Sequence, residues 1–187
     1  KRAPMIYHYR RNATEPETTL TPGDLALDLV RGAVRTQLPY AEITRVRLTY
    51  NPSRIDIARY ECHIYHRGGD KLVITSTSYK GFGRFENQPD DYRACIEDIH
   101  NRLAGHKGIA FISGDTPKRY WSSLGCAVTA LMMLAVLLLV TGMIRVPAIA
   151  IAKIVILLLT LPLVIKYAKV NKPGGYDPSA ILPGLLP

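Results

Sequence analysis

Two long apolar runs stand apart from the rest of the chain. Residues 121–144 (WSSLGCAVTALMMLAVLLLVTGMI) carry no charge, and residues 148–168 (AIAIAKIVILLLTLPLVIKYA) carry only Lys153 and Lys166. As helices they would be roughly 36 and 31 Å long, enough to cross a hydrocarbon layer of about 30 Å with some tilt. In hydrocarbon every backbone N–H and C=O has to be satisfied within the segment, so such runs become helices. Only Arg145, Val146 and Pro147 separate them, and Pro147 suits the first turn of a helix, where its missing N–H costs little. The pattern predicts a two-helix transmembrane hairpin, kinked at Pro162. Small residues recur four apart at Ser122, Cys126 and Ala130, and again at Ala148 and Ala152, and are candidate positions for hairpin packing. Ordinary composition accounts for them equally well. Lys153 is expected to snorkel toward the Arg145 side. Lys118, Arg119, Lys166, Lys169 and Lys172 flank the open end, against Arg145 and Lys153 near the turn, which predicts both long flanks in the cytoplasm. Tyr120, Trp121 and Tyr167 suit interfacial aromatics on that side.

Upstream, the period changes to two. In residues 5–11 Tyr7 and Tyr9 share one face of a short strand, with Ile6 and His8 on the other. Residues 18–21, the turn Pro22-Gly23-Asp24 and the run LALDLV read as a hairpin, and residues 33–38 add a strand. Residues 43–50 and 59–67 follow, the second with Tyr60, Cys62 and Ile64 on one face and Glu61, His63 and Tyr65 on the other. Gly68-Gly69-Asp70 turns the chain into KLVITS, and Tyr79 to Phe85 (YKGFGRF) reads as a loop. From residue 89 to 103 the spacing lengthens: Tyr92, Cys95, Ile96, Ile99 and Leu103 form one stripe of a helix that starts at Pro89 and ends at Gly105. The domains expected are therefore 1–104, a linker 105–120, the helical hairpin 121–168 and a tail 169–187. The fold class is α+β: about seven antiparallel strands in a sheet or partly open barrel, capped by one helix, then two transmembrane helices.

The formal charge is +9, with 19 Lys and Arg against 14 Asp and Glu before Tyr120 and 5 against 1 from there on. Near an anionic leaflet each exposed basic group contributes about 1 kcal/mol of attraction. Basicity also suits nucleic acid, but no helix-turn-helix or aromatic RNA-binding motif is present, and none is expected as a partner. Cys62, Cys95 and Cys126 match no redox or metal spacing and suit a reducing compartment. The opening KRAPMIYHYRR lacks an apolar core, so no signal peptide is expected there, and it lacks an initiating Met, so earlier residues are expected to be missing.

Cys62-His63-x-x-His66 has metal-ligand residue types, but on a strand Cys62 and His63 point to opposite faces, so no metal site is expected. The glycines of YKGFGRF lack the strand and helix of a nucleotide loop. Its Lys80 and Arg84, interleaved with Tyr79, Phe82 and Phe85, suit contact with headgroups or a partner. Arg31, Arg35, Arg45, Arg47, Arg54 and Arg59 make a basic run opposed only by Glu42 and Asp56; Arg45 and Arg47 would share a face. That face is either solvated or a surface for an anionic lipid or acidic partner. In the tail, Ile181, Leu182, Leu185 and Leu186 are too apolar for open solvent and are expected to dock on the domain or on a neighbouring protein, a disordered end being the alternative.

The stretch LTPGDLALDLVRG…QLPYAEITRVRL, with the helix at 89–103, resembles the bacterial pleckstrin-homology-like (PH-like) membrane proteins. The resemblance covers roughly residues 5–104; in the relatives the helix pair often precedes the domain, whereas here it follows. It implies binding, to lipid headgroups or to protein, and carries no catalytic residues; no enzyme activity and no cofactor are expected. The resulting expectation is a multi-pass inner-membrane protein, an accessory or scaffold subunit that meets membrane lipids and other integral membrane subunits. A membrane-anchored sensor of anionic headgroups is the alternative.

Overall fold

The alternating runs become eleven strands among the described residues, set with three α-helices. The computed structural model describes residues 5–53, 55–143, 147–181 and 184–187. The chain divides into two units, Lys1–Gly114 with Gly174–Pro187, and Asp115–Pro173.

In the first unit, β1 (Tyr7–Tyr9), β2 (Thr18–Pro22), β3 (Ala26–Arg31) and β4 (Val34–Pro39) form an antiparallel sheet in sequence order. The β2–β3 turn needs glycine: a Cβ on Gly23 would lie 2.8 Å from the Ala26 carbonyl oxygen, which accepts the Gly23 N–H. A 3-10 turn at Tyr40–Glu42 leads to β5 (Ile43–Tyr50), which pairs with β6 (Tyr60–His66), itself paired with β7 (Lys71–Thr75). β8 (Thr77–Gly81) and β9 (Arg84–Asn87) make a separate ribbon. The helix α1 (Pro89–Leu103) buries Tyr92, Cys95, Ile96, Ile99 and Leu103, the stripe read from periodicity, together with His100, and packs on β1 and β2. The core between them holds Leu20, Leu27, Val46, Leu48, Cys62, Ile64 and Ile74.

Three expectations are corrected. Among the described residues nine strands precede the helix rather than about seven, because YKGFGRF is not a loop but the β8–β9 hairpin, turning at Phe82-Gly83 with Gly83 at φ +69°. The stretch 105–120 is not simply a linker: it contains β10 (Ala110–Ser113), which pairs parallel to β5, and the first turn of a helix. The second sheet, ordered β11-β10-β5-β6-β7, is therefore mixed; β11 is Gly174–Gly175. The sheets do not close into a barrel. A cleft of about 330 Å³ lies between the β4 and β7 edges, lined by Arg31, Gln37, Leu38, His66 and Lys71 among others. On the far side β1 covers β7 through its tyrosines: the Tyr7 hydroxyl donates to the Thr75 carbonyl (2.7 Å) and the Tyr9 hydroxyl to Val73 (2.9 Å). An edge strand left with open carbonyls would invite pairing with another chain, and these phenols close it. Burial holds both well above the ordinary tyrosine range.

The second unit is a pair of helices, α2 (Pro117–Met143) and α3 (Pro147–Val170), packed on each other. Their open ends are tied: the Tyr120 hydroxyl donates to the Ala168 carbonyl (3.1 Å), Tyr167 donates to the Asp115 carboxylate (3.1 Å), and the Asp115 N–H donates to Asn171 (3.0 Å). The pair is therefore antiparallel. Two stretches, Pro117–Val140 and Ile151–Val170, are long and apolar enough to cross a membrane, and neither is buried within the structure.

The small-residue stripe lies one position off the contact. Ser122, Cys126 and Ala130 are exposed, and so is Ala152. The half-buried positions along the pair include Ser123, Leu124, Ala127, Leu131, Leu134 and Leu138 on α2, and Lys153, Leu157, Thr160, Val164 and Tyr167 on α3. This is the alternating three–four spacing of a heptad seam. A spacing of four alone leaves the phase of a 3.6-residue helix open, and the seam follows the neighbouring row. Arg145 lies outside the described residues, and so does the side chain of Ala148. Lys153 reaches across the pair, its ammonium 3.4 Å from the Leu137 carbonyl oxygen. Ala127→Leu is expected to destabilise the helix pair by about 1–3 kcal/mol through overpacking. Ala130→Leu, on the exposed row, should leave it unchanged. Thermal unfolding of the full chain in detergent micelles distinguishes the two.

Candidate functional site

The register of the second sheet assembles a polar face from alternate residues. On β6 these are Glu61, His63 and Tyr65; opposite them on β5 stand Thr49, Arg47 and Arg45. Arg45 and Arg47 thus share a face, as their spacing predicted. The Arg45 guanidinium lies 5.7 Å from the centre of the Tyr65 ring, and the Tyr65 and His63 rings stack at 6.4 Å. Arg47 is half-buried, and its Nε meets no hydrogen-bond partner among the described residues.

One carboxylate anchors this row. Glu61 accepts from Arg59 Nε (2.8 Å) and pairs with His63 Nε2 (2.9 Å), and its side chain is only 7% exposed. Burial by itself would raise the Glu61 carboxyl; the His63 hydrogen bond, the Arg59 guanidinium and the Asn51 side chain outweigh it and bring it down to about 2. Sequence reading placed Glu61 on this face but assigned it no partner, since β6 residues two apart need not touch.

The other arginines disperse. Arg35 pairs with Asp28 (3.5 Å) on the first sheet, Arg31 lines the β4–β7 cleft, and Arg54 lies outside the described residues. On the β8–β9 hairpin, Lys80 is taken by Glu86 (3.0 Å), Tyr79 packs edge-on against Phe85, and Arg10 stands over Tyr79. Arg84 is exposed, and Phe82 at the tip is 100% exposed. Cys62 is in the core and His63 on the outer face, so the two do not converge on a metal. Burial pushes the Cys95 thiol up to about 12 and the Cys62 thiol higher still.

The tail belongs to the same unit as the strands. Leu185 is buried, Ile181 and Leu186 are half-buried, Leu182 lies outside the described residues, and Arg93 donates to the Pro187 carbonyl. The main anchor is one the sequence did not single out. Tyr176 lies beside both Phe111 and His100, with ring centres 5.9 and 5.7 Å away. His100 Nδ1 is 2.7 Å from the Ile96 carbonyl, which can only accept, so Nδ1 carries the proton. Nε2 then accepts from the Tyr176 hydroxyl at 2.7 Å. Burial keeps His100 neutral, lowering it to about 4 despite the Ile96 bond. Tyr176→Phe would strand a buried acceptor and is expected to cost about 1–3 kcal/mol; chemical denaturation of the full chain measures it.

No family model, curated protein or solved structure matches this chain.

Proposed function

We propose that this chain is a non-enzymatic integral membrane protein, an accessory or scaffold subunit of a larger inner-membrane complex. Its strand-rich unit is read as a PH-like domain at the cytoplasmic face. The observation that carries this is the helix pair. Residues such as Val128, Met132, Val136, Leu139, Leu158 and Leu159 are exposed, and lipid or other membrane helices offer such faces a favourable setting. The antiparallel pairing supports a hairpin that returns the chain to the side it left, with both flanks in one compartment, and the basic flanks favour the cytoplasm. Contact is the work assigned to the domain. The Arg45–Arg47 face is cationic, aromatic and short of one acceptor at Arg47, which suits an acidic protein surface. Extraction in mild detergent followed by mass measurement tests the reading. A species heavier than one chain with its detergent is expected, and a lone monomer overturns it.

A second reading, a sensor of anionic headgroups, is favoured by Phe82 standing fully exposed beside Arg84. Against it, Lys80 is already paired with Glu86 (3.0 Å). A fluorophore at Phe82→Cys that responds to anionic lipid in vesicles carrying the full chain would support the sensor.

A further inference from the structure

We infer that the loop between β5 and β6 is a third membrane contact, with Ile55 and Ile57 seated in the lipid interface. The inference rests on the reading of α2 and α3 as membrane-spanning. It starts from which end of the strand-rich unit faces its tethers. β10 runs parallel to β5, with Ser113 beside Leu48, and the Gly114 N–H donates to the Leu48 carbonyl (2.8 Å). The chain therefore leaves the sheet in the direction in which β5 ends. It returns at Gly174, paired with Ser113, at the same level. Three residues separate Ser113 from Pro117, and three separate Val170 from Gly174. Even fully extended, such tethers reach only about 14 Å. Both connections to the apolar helices therefore attach at this end of the sheet.

The loop that follows Tyr50 is at that end, and it is built to present two apolar side chains. The Asn51 N–H donates to Arg59 (2.9 Å) and closes it, while the Ser53 N–H donates to the Asp56 carbonyl (2.8 Å). The Ser53 hydroxyl accepts the Asp56 N–H (3.0 Å), and the Tyr50 hydroxyl donates to the Ile57 carbonyl (2.6 Å). Asp56 is turned inward, 5% exposed, and accepts from the Thr77 hydroxyl. Its neighbours are turned out: Ile55 is 64% exposed and Ile57 57%. A loop that buries its carboxylate and displays two isoleucines inverts the arrangement that water favours. It fits the headgroup–acyl boundary, where apolar side chains are stabilised and the inward carboxylate is kept from the lipid.

The test uses the full chain in vesicles, with Cys126→Ser removing the exposed thiol while Cys62 and Cys95 stay buried. An environment-sensitive fluorophore is placed at Ile55→Cys, Ile57→Cys or Leu25→Cys, and quenching by shallow spin-labelled lipid is read. Leu25 is the control: it is equally apolar and 84% exposed, but its carbonyl accepts from the Tyr40 N–H, at the end where β5 begins. Trp121, the sole tryptophan, reports helix insertion without any label. Quenching at 55, 57 and Trp121 but not at 25 is the expected result. Quenching of Trp121 with 55 and 57 behaving like 25 overturns the inference alone. An unquenched Trp121 overturns the membrane reading and the inference with it.

Discussion

Replacing Glu61 with alanine is expected to destabilise the strand-rich unit by about 3–5 kcal/mol, the largest effect of any single substitution outside the apolar core. Among the described residues Glu61 is the acid in contact with both Arg59 and His63, whose side chains are 17% and 13% exposed. Its removal leaves a guanidinium largely out of water with no counter-charge, and the imidazole loses its hydrogen bond. The loss is larger than the pair's net worth, because an orphaned buried charge costs more than a pair contributes. Glu61→Gln, which keeps an acceptor but not the charge, should fall between wild type and alanine. Replacing Arg59, Glu61 and His63 together by apolar residues of similar volume should come close to neutral, since desolvation offsets most of the Coulomb gain. Urea denaturation of the full chain in detergent, followed by tyrosine fluorescence, measures all three. A cost below about 1 kcal/mol for the alanine variant would show that water reaches the row, as at an exposed ion pair.

Acidification should produce the second large effect, in two stages. His100 titrates near 6.5 when unfolded and near 4 when folded, because burial disfavours its charged form. Between those values the unfolded chain holds the extra proton, so stability is full above about pH 6.5 and declines as pH falls toward 4. The decline amounts to on the order of 3 kcal/mol. Glu61 adds a second stage by the opposite chemistry. Its folded carboxyl is held near 2 against 4.5 unfolded, so its contribution is present above pH 4.5 and is lost as pH falls through 2. His100→Gln should flatten the first stage and leave the second, and Glu61→Gln should do the reverse. Denaturation midpoints taken across pH 8 to 2 separate them, and a first stage that survives His100→Gln would contradict the assignment.

Much of this arrangement was legible from periodicity, and the exceptions share a cause. The β2–β3 and β6–β7 hairpins and the buried stripe of α1 repeat at short intervals, so local pattern was enough. β10 is four residues, AFIS, and its partner strand lies some sixty positions earlier; no local signal announces a parallel neighbour at that separation. The β8–β9 hairpin leaves no alternating trace, because Tyr79 to Phe85 is broken by glycine and basic residues. Tyr176, in a stretch rich in proline and glycine, docks through a hydrogen bond to His100, and a single polar anchor leaves no periodic trace. The Arg45–Arg47 face was legible because two residues on one strand fix their own relative orientation. Its anchor at Glu61 was not, because strand spacing says nothing of side chains bending toward each other.

The central claim is that α2 and α3 hold this chain in a bilayer rather than pairing with each other in water. Alkaline carbonate washing of membranes from cells making the full chain tests it most directly. The protein is expected to stay in the membrane pellet, since apolar helices of this length resist release by pH and salt. Its recovery in the supernatant would contradict the account.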